Sequence, residues 1–181
     1  QVAVLTTDDL AALSTAQIAA LSAASVAGLS SAQVGALSIE QVEVLSTSQI
    51  AGLSSAGIAG LATDDLATFS TADIAAISSA AIQGLSTDFI ATLSTAQIAG
   101  LGTASIAGLI STQVAALSIE QVEALSTTQI AALSSAGVAG LTTEDLESFS
   151  TKELVAISSS AISGLSTDVV ATLSSEQVAA L

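Results

Sequence analysis

Leu13-Ser14-Thr15-Ala16-Gln17-Ile18-Ala19-Ala20 is the stretch whose reading decides the fold of this chain. Leu21 then starts the pattern again, and the octad runs without a slip from Leu5 to Leu181. With the octad lettered a to h, a large apolar residue stands at a, as at Leu13, Phe69 and Ile77. Position f is always Ile, Val or Leu, as at Ile18 and Val178. Position b is Ser or Thr in 19 of 22 octads, the exceptions being Ala62, Gly102 and Ile110. Position e is Gln, Glu or Asp in 14 of 22. A strict short period of this kind marks a repeat protein that is built along one dimension.

Ser at b and Gln or Glu at e have the spacing of a capping box. The hydroxyl accepts from the N3 amide, and the N3 side chain reaches back to the cap amide. Ser14 with Gln17, Ser38 with Gln41, Ser118 with Gln121 and Ser150 with Glu153 all fit. Residue a is then N′ and residue f is N4, which is the spacing of a hydrophobic staple. Gly at h, as at Gly28, Gly52, Gly60, Gly84, Gly100, Gly108, Gly140 and Gly164, reads as a stop, because Gly suits the left-handed conformation that closes helices. The expected fold is therefore all-α: a continuous solenoid, or superhelix, of very short capped helices, one per octad.

Other regular structures fit less well. At about 100° per residue, eight residues overshoot two helical turns by about 80°, so a single long helix would wind its Leu stripe around itself. Coiled coils need a period of seven or eleven. In a plain strand, a and f are five apart and point to opposite faces. A β-solenoid turning once per octad stays open as the alternative, since Ser, Thr, Val, Ile and Gly are plentiful. One octad cannot bury its own a and f residues, so order has to come from stacking.

A second period lies above the first. Leu37-Ser38-Ile39-Glu40-Gln41-Val42-Glu43 recurs as Leu117-Ser118-Ile119-Glu120-Gln121-Val122-Glu123, and Phe69, Ile77 and Asp88 recur as Phe149, Ile157 and Asp168. Residues 1–181 thus read as one continuous unit. It holds two 80-residue superrepeats, about 5–84 and 85–164, and part of a third, 165–181. The chain enters mid-repeat at Gln1-Val2-Ala3-Val4 with no basic leader, which suggests a fragment or a mature region.

Composition narrows the function classes. His, Cys, Arg, Asn, Pro, Met, Trp and Tyr are absent, and Lys152 faces 16 acidic residues, for a net charge of −15. Phosphate binding needs Lys and Arg, so nucleic acid is excluded as a partner. Residues 89–119 carry no charge but contain no unbroken apolar run of about 18–20 residues, so no membrane span is expected. The hydroxyls have no His base beside them, and Ser150-Thr151-Lys152 lacks Ser-x-x-Lys spacing. No catalytic residue, cofactor site or enzymatic activity is expected. Acidic residues fall only at d, e and g, which suits helix N-termini and a solvated face. The adjacent pairs Asp8-Asp9, Asp64-Asp65 and Glu144-Asp145 are the weak candidates for calcium, with no EF-hand loop or Gly-Gly-x-Gly-x-Asp nonapeptide around them. Hydroxyl rows at b and c, including Thr7, Thr15, Thr63 and Thr71, could order water as on ice-binding solenoids; capping accounts for them more simply. Of the three aromatics, Phe69 and Phe149 are anchors, whereas Phe89 replaces a capping Gln at e and matches Val169.

The octad Leu-Ser-Thr-x-Gln-Ile-x-x resembles the octapeptide tracts of very long secreted bacterial surface proteins, the adhesin-like or large exoproteins. The resemblance covers essentially the whole chain and implies an extracellular or cell-surface stalk or filament. The expected role is a structural spacer, stalk or self-assembling filament segment. Its partners would be further copies of itself, end to end or laterally, or flanking repeats of a longer chain. The alternative is a binding module that uses the Ser/Thr or acidic face for ice, glycan or calcium.

Overall fold

The structure, a computed structural model, describes residues 4–180; Gln1-Val2-Ala3 and the last anchor, Leu181, lie outside them. Among the described residues there are only helices of three to six residues, one per octad, and no strand, so the fold is an all-α solenoid and not a β-solenoid. Among the described residues no helix is long and apolar enough to cross a membrane.

Most helices start as the capping residues dictate, whereas Thr103–Gly108 and Ser111–Val114, after Gly102 and Ile110, start without a cap hydroxyl. Ser46 is extended at φ −70°, ψ 155°, its hydroxyl accepts from the Gln49 amide, and Gln49 reaches back to the Ser46 amide. The same box forms at Ser14, Ser38, Ser94, Ser118, Ser126 and Ser150. Termination differs from the expectation. No glycine has positive φ among the described residues, and Gly52, Gly100 and Gly108 are the last residues of right-handed helices. The helix stops because the next anchor leaves the helical basin. Leu53 sits at φ −58°, ψ 136°, with its N–H on the Ile50 carbonyl. The following Ser is also extended, held there by its cap. Two extended residues, a and b, therefore turn the chain through each corner, and glycine has another task.

The turn of the superhelix holds three octads. The Thr47–Gly52 helix packs on Ala23–Val26, three octads before it, and on Thr71–Ala76, three octads after it. Every other principal helix contact obeys the same offset. The f residues point to the axis: Val26, Ile58, Ile74, Ile90, Ile106, Ile130 and Leu154 are fully buried, with the a anchors around them. Burying such a side chain contributes roughly 1.5–3 kcal/mol. Stacking joins the buried a and f residues of successive turns into one core, while Val170 and Val178 near the end of the chain stay exposed.

The three-octad turn changes the meaning of the longer period. Ten octads are three turns and one further octad, so each superrepeat is rotated by one side of the coil relative to the last. Glu40, Glu43, Asp64, Asp65 and Asp88 lie in octads spaced one full turn apart and share one side. Their counterparts Glu120, Glu123, Glu144, Asp145 and Asp168 share the next side. The acidic surface thus winds around the coil.

Candidate functional site: the joint between turns

The side chains that carry the most interactions are the e-position glutamines. Gln129, buried, accepts from the Ser126 N–H (2.9 Å) and hydroxyl (2.9 Å) through Oε1. Its Nε2 leaves its own octad and donates to the Ile98 carbonyl (2.9 Å) and the Leu101 carbonyl (3.0 Å) on the previous turn. Gln49 bonds Ile18 and Leu21 in the same way, Gln113 bonds Ile82 and Leu85, and Gln41 and Gln121 repeat the pattern. Carbonyls left over where a short helix ends are thereby satisfied by the next turn. Ser105 makes the same bond to Ile77 with its hydroxyl. Phe89 and Val169 replace the amide with buried apolar packing. Sequence reading found only the intra-octad half of this residue's role. The signal for the rest is the amide itself: a capping box needs only an acceptor, yet Gln fills nine e positions and Glu one. Removing a cap hydroxyl alone, as in Ser126→Ala, is expected to cost about 1 kcal/mol in urea unfolding, since the cross-turn bonds of Gln129 persist.

Glycine at h forms the second part of the joint. A Cβ at Gly60, Gly84, Gly108, Gly140 or Gly164 would lie under 3.0 Å from the carbonyl oxygen of Ser31, Ser55, Ser79, Ser111 or Ser135, respectively. Gly52 meets the Ala23 carbonyl in the same way at 2.8 Å. Each partner is the c residue of the octad one turn back. Those six c residues open the six four-residue helices, including Ser55–Ile58 and Ser79–Ile82. Where c is Thr, h on the next turn is usually Ala or larger, as with Thr103 and Ala132. Gly100 is the exception: it lies over Thr71, and a Cβ there would stand 3.6 Å from the Thr71 carbonyl oxygen. Glycine is therefore used for close approach between turns.

The acidic candidates serve the caps. Asp9 accepts from the Thr6 N–H (3.0 Å) and hydroxyl (2.7 Å), which hold its carboxyl below its ordinary pKa. Asp145 accepts from the Thr142 N–H (2.8 Å) and hydroxyl (2.8 Å). Asp65 accepts from the Ala62 N–H (2.8 Å). Hydrogen bonds from Ser38 and Ser118 lower the carboxyls of Glu40 and Glu120. At Asp73 burial pushes upward, but hydrogen bonds from Ser70 and Thr47 outweigh it and the net shift is downward. The three calcium candidate pairs remain pairs: Asp8-Asp9, Asp64-Asp65 and Glu144-Asp145 gain no third acidic or histidine ligand among the described residues. Lys152, exposed at d, lines a shallow surface with Thr127, Thr151 and Val155. A second shallow groove, between Ser55, Ser79, Ala80, Gln83, Ala104, Ala107 and Gly108, holds no titratable group.

A coil of short helices whose side-chain amides and glycines join successive turns is a structural repeat protein. The model of the ALTTAQ repeat matches residues 2–39, 58–95, 90–119 and 119–151, and the chain belongs to that family. Ala12-Leu13-Ser14-Thr15-Ala16-Gln17 shows the motif in frame, from h to e, with Ser for one Thr. The glutamine that closes the motif is the residue that ties the turns. The curated proteins contain no match to the chain.

Proposed function

We propose that this chain is a non-enzymatic extracellular or cell-surface spacer, a length of rod that joins to further turns of the same kind. The observation that supports this most is the use of the e-position amides, which bond the previous turn and leave few polar groups arranged around a cleft. A binding surface would call for a patch repeated on one side, but the superrepeat moves its features around the coil. The high negative charge keeps neighbouring rods apart and soluble. Since packed helices lie about 8–10 Å apart, some seven turns should form a rod roughly 60–70 Å long. Negative-stain electron microscopy of the purified chain tests this reading. Discrete rods of that length at every concentration support the spacer, and fibres that lengthen with concentration support the filament. Round, compact particles overturn both. Surface biotinylation of intact cells that fails to label a version with added lysines would remove the extracellular assignment.

A further inference from the structure

Two equivalent octads of the superrepeat behave differently, and the difference centres on one carboxyl. Asp65 and Asp145 hold the same place in successive superrepeats, and both are buried. Asp145 sits in an α-helix, Thr143–Ser148, and its carboxylate accepts from both the N–H and the hydroxyl of Thr142. At Asp65 the cap is Ala62, which has no hydroxyl, and the segment Thr63–Thr68 is a 3-10 helix instead of an α-helix. The elements packed on it are Ile39–Glu43 below and Thr87–Thr92 above. Their charged groups are Glu40, Glu43 and Asp88, and Asp64 adjoins on the chain; the next helix contributes Asp73. All are acidic.

We propose that Thr63–Thr68 is a joint of the solenoid that acid tightens: a proton on Asp65 removes a buried charge that adjoins Asp64 and lacks the hydroxyl cap that Asp145 has. Burial, reinforced by Asp64, raises the Asp65 carboxyl above its ordinary pKa, despite the Ala62 amide. The folded chain therefore holds this proton more tightly than the unfolded chain does. The stabilisation is full below the unfolded pKa and is lost as pH rises through the folded one.

Amide hydrogen exchange on the full chain, corrected for intrinsic rates, tests this from neutral pH down to the ordinary Asp pKa of about 3.9. Opening of residues 65–68 is expected to fall on acidification, by about tenfold for each unit that the folded pKa exceeds the unfolded one. Ala62→Thr, which copies the Thr142 cap, should slow opening at neutral pH and flatten the pH response. Asp65→Asn should be flat at both pH values. Opening of residues 65–68 that does not fall on acidification would overturn the proposal. So would a pH response that survives Asp65→Asn, because the surrounding carboxylates would then be its source.

Discussion

Gly84→Ala is expected to lower stability by about 3 kcal/mol, at the upper end of what overpacking usually costs. The added Cβ would fall on the Ser55 carbonyl, under 3.0 Å away, and it would also press on Ile58. Backbone cannot rotate aside as a side chain would, so the two turns must separate. Separation also weakens the core contacts of Ile58 and Ile82, both fully buried. Gly100→Ala is the control. It has the same octad position and the same chemistry, but the nearest carbonyl would be 3.6 Å away, an ordinary contact. It lies at the end of the Thr95–Gly100 helix, so alanine should instead gain up to about 0.5–1 kcal/mol from helix propensity. Urea midpoints of the two variants should move in opposite directions. If Gly84→Ala matched Gly100→Ala, close approach would not be the reason for glycine at h.

Much of this fold was legible in the octad, because its start signals are local. Ser at b, the acceptor at e and the apolar pair at a and f act within a single octad, so their spacing survives in sequence order. What the spacing hides is anything that acts between turns. The residues concerned lie three to four octads apart, and nothing in one octad states that three of them close a turn. The role of glycine at h is hidden for that reason. Within its own octad it looks like a helix stop, and only the Ser31–Gly60 or Ser55–Gly84 pair reveals a steric fit. The pairing was nevertheless present as a correlation: c residues Ala23, Ser31, Ser55, Ser79, Ser111 and Ser135 are each followed by Gly at h of the third octad on. The fit also addresses a difficulty specific to short repeats. With so short a period, a slip by one octad leaves every a and f residue in the core. Such a slip would bring Thr68 or Ala76 over carbonyls that tolerate only Gly, so the small-on-small pairs oppose it.

The largest effect is expected at the amide ladder. Gln129→Leu should cost about 3–4 kcal/mol, because it leaves the buried Leu101 carbonyl without its cross-turn donor and the Ser126 amide without its acceptor, at about 1–3 kcal/mol for each unsatisfied group. The Ile98 carbonyl keeps the Leu101 amide as a partner and adds less. The same change at Gln17, exposed and with only its capping bonds described, should cost about 0.5–1 kcal/mol, the value of a cap. Gln129→Glu separates the two roles of the residue. Oε1 still serves the Ser126 amide, but Nε2 is replaced by an oxygen facing the carbonyls of Ile98, Ala99 and Leu101. At neutral pH this buried carboxylate should destabilise nearly as much as Leu does. Its folded pKa must rise, because both burial and the facing carbonyls disfavour the charge. The loss should therefore shrink as pH falls through that raised value, where a protonated carboxyl donates again. Urea midpoints of Gln129→Glu and Gln129→Leu that run in parallel from neutral to mildly acidic pH would show that the amide does not act as a donor between turns, and that the octads are held by apolar packing alone.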